Sequence, residues 1–299
     1  MNTKYCLVTG ASGGIGGAIA TALAREGYTL ILQGRNKDKL VNLQQSLPNK
    51  AFILMGDLTQ AEDRERILTA AFQIGAIDLL VNNAGISYFS SIETTEDHII
   101  EQLININLTA PMLFTQRFIQ KLRSCTNGPA HESSHSTIIN VGSAFGFIGH
   151  PGFSGYCASK FGLRGFTESL ARELSDSNIR VAFFAPRATQ TEINSNIVNE
   201  LNHALGNKVD SPAFVAQEFM LLLNSHQQRK VVGWPEKLFA RLNGILPEIV
   251  DRAMSSKLQQ IKSFFSAHNS ESRIPSTQKN RAVAQVNSVE IEEIHHEKS

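Results

Sequence analysis

Tyr5-Cys6-Leu7-Val8-Thr9-Gly10-Ala11-Ser12-Gly13-Gly14-Ile15-Gly16 is the stretch that decides the fold. Tyr5–Thr9 is a short apolar run that reads as a buried strand, and the apolar spacing over Ile15–Glu26 reads as a helix. Glycines between a strand and a helix let the backbone turn tightly and approach a pyrophosphate closely. The helix N-terminus adds free N–H groups and a favourable dipole. A plain Gly-rich turn would explain the glycines, but not their position between a first strand and a first helix.

Outward from this loop, short apolar runs alternate with helical patterns. Thr29–Gln33, Phe52–Met55 and Leu79–Asn82 read as strands, and Lys37–Leu47 and Ala61–Ile74 as helices. A helix around Asp97–Arg123, a strand Thr137–Val141, a helix Tyr156–Ser175 and a strand Arg180–Ala185 continue the rhythm. A helix near Pro212–Asn224 and a short strand Lys230–Val232 close it. Strands alternating with helices predict an α/β fold: a single doubly wound Rossmann-type parallel sheet with helices on both faces. The expected organisation is a catalytic domain over 1–233, an amphipathic helical extension over 234–269 and a disordered tail over 270–299, which is polar and poor in aromatics.

The bulk properties exclude several classes. A net charge of +1 gives no broad attraction to nucleic acid. No apolar run approaches the ~20 residues that span a bilayer. Cys6, Cys125 and Cys157 are an odd number without framework spacing, which fits free thiols and a cytoplasmic location.

Tyr156-Cys157-Ala158-Ser159-Lys160 places a phenol and an ammonium one helical turn apart, with Ser143 upstream. A free phenol has a pKa of about 10, too high for efficient proton exchange near neutrality. A lysine charge about 4 Å away at an effective dielectric near 20 supplies about 4 kcal/mol, roughly three pKa units. The spacing therefore predicts that Lys160 lowers the pKa of Tyr156. At the end of the second strand, Gln33-Gly34-Arg35 lacks the acidic side chain that binds the ribose of NAD. Gly34 leaves room there, and Arg35 can pair with a 2′-phosphate. This favours NADP(H), with NAD(H) the alternative.

Together these residues resemble the short-chain dehydrogenase/reductase family over roughly Lys4 to Val232. Gly10, Ser12, Gly13, Gly14, Ile15 and Gly16 look like its TGxxxGxG loop, Asp57 and Leu58 like its adenine-contacting pair, and Asn83, Ala84 and Gly85 like its NNAG segment. Asn107, Ser143, Tyr156 and Lys160 match its catalytic tetrad, and Pro186, Thr189 and Thr191 its loop facing the nicotinamide. The resemblance implies hydride transfer between NADP(H) and a carbonyl or alcohol. Tyr156 would be the general acid or base, Ser143 would hold the substrate oxygen, and Lys160 would hold the ribose. Asn107 would position a water that links Lys160 to solvent. The alternative on the same fold is a catalytically silent nucleotide-binding scaffold. Three departures stand out: Gly13 where the family often has a basic residue, Arg187 after Pro186 where Pro-Gly is usual, and Trp234-Pro235 after Gly233 where the family has Asp-Gly-Gly.

His131-Glu132-Ser133-Ser134-His135 matches the zinc-hydrolase string HExxH. Gly128-Pro129 and the serines argue against the helix that this chemistry needs, so no metal is expected. Ile86–Ser90, Ala144–Phe153 and the segment after Thr191 are expected to line the substrate pocket. Phe145, Phe147, Ile148 and Phe153 would make it apolar, which suits an apolar small molecule. In the extension, Leu238, Phe239, Leu242, Ile245, Leu246, Ile249, Val250, Met254, Ile261 and Phe265 recur at helical spacing, and Pro247 starts or kinks a helix. Three roles suit that face: cover over the pocket and core, packing in a homo-oligomer, or peripheral contact with a membrane; the first two are favoured over the third. A homo-oligomer is expected.

Overall fold

The structure is a computed structural model that describes residues 3–125 and 135–271. Among these residues seven parallel strands form one sheet: β1 (Tyr5–Val8), β2 (Thr29–Gly34), β3 (Ala51–Met55), β4 (Ile77–Asn82), β5 (Ser136–Val141), β6 (Ile179–Ala185) and β7 (Arg229–Val231). Their order is β3-β2-β1-β4-β5-β6-β7, so successive strands are added outward on one side of β1 and then, from β4, on the other. The crevice beyond the carboxyl ends of β1 and β4 is where such a sheet binds ligands.

Both sheet faces are covered, as a parallel sheet requires. Alternate residues of each strand go to opposite sides. Cys6, Val8, Leu30, Leu32 and Val81 pack against α1 (Gly14–Arg25) and α8 (Pro212–Leu223), with α2 (Lys37–Ser46) at the flank. Leu7, Ile31, Leu80 and Ile138 pack against α3 (Ala61–Ile74) and α5 (Ala110–Cys125), where Phe114 and Phe118 are fully buried, and against the end of α6 (Ser154–Glu173).

The helix expected over Asp97–Arg123 is not continuous. α4 (Asp97–Ile104) passes into a π-helical segment, Asn105–Thr109, before α5 begins. The Ala110 N–H bonds the Asn105 carbonyl five residues back. Pro111 has no N–H for the carbonyl of Asn107 four residues back, so the regular ladder opens there. A further helix, α7 (Asn196–Ala204), which the alternation of strands and helices does not announce, lies between β6 and α8. Its signals are a Ser195 side chain that accepts from the Val198 N–H, and the spacing of Ile197, Val198 and Leu201.

Pro247 does start a new helix: α9 (Glu236–Ile245) is followed by α10 (Pro247–Glu271). Their inner faces pack on the domain. Val250, Phe239 and Met254 join Phe147, Ile148 and Phe183, while Ile261 and Phe265 join Phe89, Phe153 and α7. Val250 and Ile261 are essentially buried, and each such side chain stabilises by roughly 1.5–3 kcal/mol. The outer faces keep Trp234, Leu238, Ile245, Leu246 and Ile249 exposed. No helix among the described residues is long and apolar enough to cross a membrane. Cys6 and Cys157 are free, buried thiols. His131, Glu132, Ser133 and Ser134 of the HExxH string lie outside the described residues, as does the expected tail beyond Glu271.

Candidate active site

One cleft of about 910 Å³ runs from the glycine loop, past Ser143 and Tyr156, to the inner faces of α7, α9 and α10. Gly10, Ser12, Gly13, Gly14, Ile15, Arg35, Asp57, Leu58, Asn83, Ala84, Gly85, Pro186, Thr189 and Thr191 line it, as do Ser143, Tyr156 and Lys160. Two expected site residues, Gly16 and Asn107, do not, and they act from behind the wall.

Gly16 is a packing glycine. A Cβ there would stand 2.4 Å from the Gly10 carbonyl oxygen and 2.5 Å from Asn83 Nδ2, so no side chain fits between α1 and β1. Asn83 holds the loop from the other side. Its Nδ2 donates to the carbonyls of Thr9 and Gly10, both at 3.1 Å, and its N–H bonds the Thr9 hydroxyl. Gly10 sits at φ +62°, and a Cβ there would lie 2.7 Å from Ala84 Cα, so glycine is required on both counts. Gln33, missed in the sequence, ties β2 to the same loop. Its Oε1 accepts from the Gly10 N–H and its Nε2 donates to the Gly56 carbonyl at 2.8 Å.

This end of the cleft suits a dinucleotide. No side chain caps α1, so its first N–H groups and dipole face the cleft, and a Cβ at Gly13 would meet only the Gly10 oxygen at 3.4 Å. Gly34 offers nothing to a ribose. Arg35 Nη1 lies 3.8 Å from Asp57 Oδ2 in a long, solvent-exposed pair that costs little to break. Asp57 also accepts from the N–H and hydroxyl of Thr59, at 2.9 and 2.8 Å, so it shapes the turn before α3 while facing the cleft. The loop after β6 closes over this region: a Cβ at Gly14 would lie 2.6 Å from Thr191 Cγ2. Lys39 of α2 and Glu192 of that loop form an ion pair at the cleft edge.

Asn107 is fully buried in the π-helical segment. Its Oδ1 accepts from the Ile86 N–H at 2.8 Å. Its Nδ2 donates to the Ile86 carbonyl at 2.9 Å and to Ser159 Oγ at 3.1 Å. The side chain is therefore committed to fixing the strand-to-loop turn beside Gly85. Pro111, four residues on, has no N–H to give the Asn107 main-chain carbonyl.

Burial sets the electrostatics of the Tyr156–Lys160 pair, contrary to the expectation from spacing. Lys160 Nζ donates to the Val141 carbonyl at 3.2 Å and stands 5.8 Å from the Tyr156 ring centroid. Desolvation pushes Tyr156 up to about 12, and the Ser143 side chain only partly offsets it. Desolvation also lowers Lys160 to about 8. A low dielectric penalises the charged form of each, so the phenol keeps its proton and the ammonium holds its own loosely.

The apolar wall differs from expectation at one position. Phe145, Ile148 and Phe153 face the cleft. Phe147 turns into the core between Phe183 and the Arg164 guanidinium, which lies 4.0 Å from its ring centre. Arg187 also has a defined place. Its guanidinium is buried, makes two 2.8 Å bonds to Asp210, and bonds Glu236 and the Trp234 carbonyl at 3.0 Å. Gly233, at φ +92°, lies against it, and a Cβ there would meet Nη1 at 2.6 Å. Arg187 thus joins the loop after β6, the entry to α8 and the start of α9.

The model of the family described as short chain dehydrogenase matches residues 4–202. The chain is 35% identical over 209 residues to a 3-oxoacyl-(acyl-carrier-protein) reductase of Rickettsia bellii, covering 70% of this chain and 82% of that protein. It is 36% identical over 207 residues to nodulation protein G of Rhizobium meliloti, covering 69% and 80%. Among solved structures it is similar to a 3-ketoacyl-(acyl-carrier-protein) reductase of Brucella melitensis complexed with NADH. That match has a TM-score of 0.68 and 25% identity, and covers 75% of this chain and 92% of that one.

Proposed function

Because the chain belongs to the short-chain dehydrogenase family and is an NAD(P)-dependent oxidoreductase, we propose that it reduces the carbonyl of an apolar small molecule with NADPH, with Tyr156 as general acid. The observation that carries this reading is a buried, protonated phenol beside Ser143, in the same cleft as the glycine loop.

When bound, the cofactor supplies the hydride. Its pyrophosphate would lie at the α1 N-terminus, on Ser12, Gly13, Gly14 and Ile15. Its adenosine end would lie at Arg35, Asp57 and Leu58, its nicotinamide end at Pro186, Thr189 and Thr191, and its ribose near Asn83, Ala84, Gly85 and Lys160. The Ser143 hydroxyl would donate to the substrate oxygen and hold it beside Tyr156. As negative charge grows on that oxygen, Tyr156 gives up its proton and the product leaves as an alcohol. The phenolate left behind is favoured by the Lys160 ammonium. With a pKa of about 8, Lys160 can return a proton near neutrality. The Asn107 carbonyl, which lacks a regular helical donor, would hold a water that resupplies Lys160.

Preference for NADPH rests on Gly34 and Arg35. The substrate class rests on Phe145, Ile148 and Phe153, and an acyl carbonyl of the kind named for the reductase relatives is among the candidates. The test is an NADPH- and NADH-oxidation screen against ketones, aldehydes and acyl carbonyls. Turnover of an apolar carbonyl with NADPH favoured is expected; turnover with neither cofactor across the panel overturns the reading.

A further inference from the structure

His150 stands in the cleft wall six residues before Tyr156, and its ring is fixed by two aromatic contacts and one hydrogen bond. It stacks on Phe145 with centroids 4.9 Å apart and meets Phe153 edge-on at 5.6 Å. Its main-chain N–H donates to Cys157 Sγ, and its carbonyl accepts from the Phe153 N–H. Nδ1 lies 2.8 Å from the Pro151 carbonyl oxygen. A carbonyl can only accept, so Nδ1 carries the hydrogen. In a neutral imidazole, Nε2 is then a bare acceptor. Burial holds the imidazole pKa below its ordinary value against the opposing effect of the Pro151 hydrogen bond, and the charge of Lys257 acts with burial, so the neutral ring is favoured.

The residue is only 9% exposed, and no hydrogen bond from a described residue reaches Nε2. Nε2 is not one of the buried side-chain atoms that lack a partner among the described residues, so it is open to a donor entering the cleft. A fixed, neutral acceptor in an aromatic wall is what a binding site uses to read one donor. Phe145 and Phe153 each lie 6.3 Å from the Tyr156 ring as well, so both of these rings touch His150 on one side and the proton donor's ring on the other.

We propose that His150 is a substrate-recognition residue whose Nε2 accepts a hydrogen bond from a hydroxyl or amide N–H on the apolar body of the substrate, about one aromatic ring from the reacting carbonyl. This rests on reading the cleft as a carbonyl-reducing site. It narrows the substrate to apolar carbonyl compounds that carry a donor at that distance. A site built around a donor rejects the analogue that lacks it far more strongly than an apolar pocket rejects a lost methylene.

The probes are para-hydroxyacetophenone and its methyl ether, which lacks the donor and adds one methyl group; the His150→Phe comparison separates the two effects. Binding to the full-length protein with NADP present is measured by calorimetry, and turnover is measured separately. The wild type is expected to bind the phenol at least about tenfold tighter than the ether. In His150→Phe the phenol should fall to the affinity of the ether, with the ether changed less than about twofold. His150→Gln keeps an acceptor of similar reach and should retain most of the preference. Equal binding of the two probes by the wild type overturns the proposal, whatever the variants do. So does a preference that survives His150→Phe. Preferential binding of the phenol without turnover of either probe leaves the role of His150 standing and counts against the reductase reading instead.

Discussion

At the glycine-loop end of the cleft, most of the framing contacts join residues of one βαβ unit and the strand beside it. Gly10 meets Ala84, Gly16 meets Asn83, and Gln33 spans two adjacent strand ends. At the far end the pieces come from distant parts of the chain. Arg187 collects Asp210, Trp234 and Glu236, and α10 reaches back to Phe89 and Phe153. The first end is shaped by missing side chains and by main-chain dipoles. The second is shaped by buried side chains, two of which are polar: Arg187, paired with carboxylates, and His150, set among aromatic rings. On the proposed reading one end would bind what is common to a class of cofactors, whereas the other can be altered without disturbing it.

The junction between the two ends is where substitution should matter most. Tyr156→Phe should lower turnover by about 10³-fold through loss of the proton donor, with NADPH affinity and thermal stability unchanged. Near-normal turnover would mean that the two ends do not meet at Tyr156.

Arg187→Met tests whether the far end is held as one body. It leaves the buried Asp210 carboxylate without its partner and should cost about 3–4 kcal/mol in urea unfolding, toward the low side because Glu236 is partly exposed. A loss below about 1 kcal/mol would show that α9 and the loop after β6 stand independently.

A pH effect of similar kind should arise at Lys160. Its folded pKa of about 8 lies below its ordinary value of 10.5, so the unfolded chain binds more protons between those limits. Stability should therefore rise with pH across that window, and the burial cost is fully present below about pH 8. Lys160→Met removes the charge. Its advantage over the wild type should reach at most about 3 kcal/mol below pH 8 and vanish above about pH 10.5. Chemical denaturation at pH 7, 9 and 10.5 reads this, and a flat difference would refute the assigned cause. For Tyr156 the sign reverses: its folded pKa is raised to about 12, so spectrophotometric titration should find it protonated beyond pH 10.

The smallest effect is expected at the cofactor end. Arg35→Ala should raise KM for NADPH about tenfold and leave KM for NADH unchanged, because a single exposed charge-assisted contact is at stake. An equal change for both cofactors would place Arg35 outside the 2′-phosphate site.

Much of the fold was legible because its signals are local. Apolar runs of strand length, helical spacing between them, and glycines at one strand-to-helix turn each depend on neighbours within a few residues. The break at Asn107 was legible in principle as well, since Pro111 removes one donor, but the apolar pattern over 97–123 masked it. The sequence pattern could not aim Phe145 and Phe147. They are two apart, in and just after the short 3-10 turn Ala144–Gly146, and one faces the cleft while the other fills the core.

By itself, the sequence determined the α/β class, the cofactor loop and the spacing of Ser143, Tyr156 and Lys160, because the backbone periodicities that carry them repeat every few residues. Only the tertiary structure decided where Arg187 points, which nitrogen of His150 is bare, and that burial outweighs the Lys160 charge in setting the Tyr156 pKa. Those properties depend on dielectric surroundings and on partners as far as 49 residues away, such as Glu236 for Arg187, and residue spacing along the chain carries no record of either.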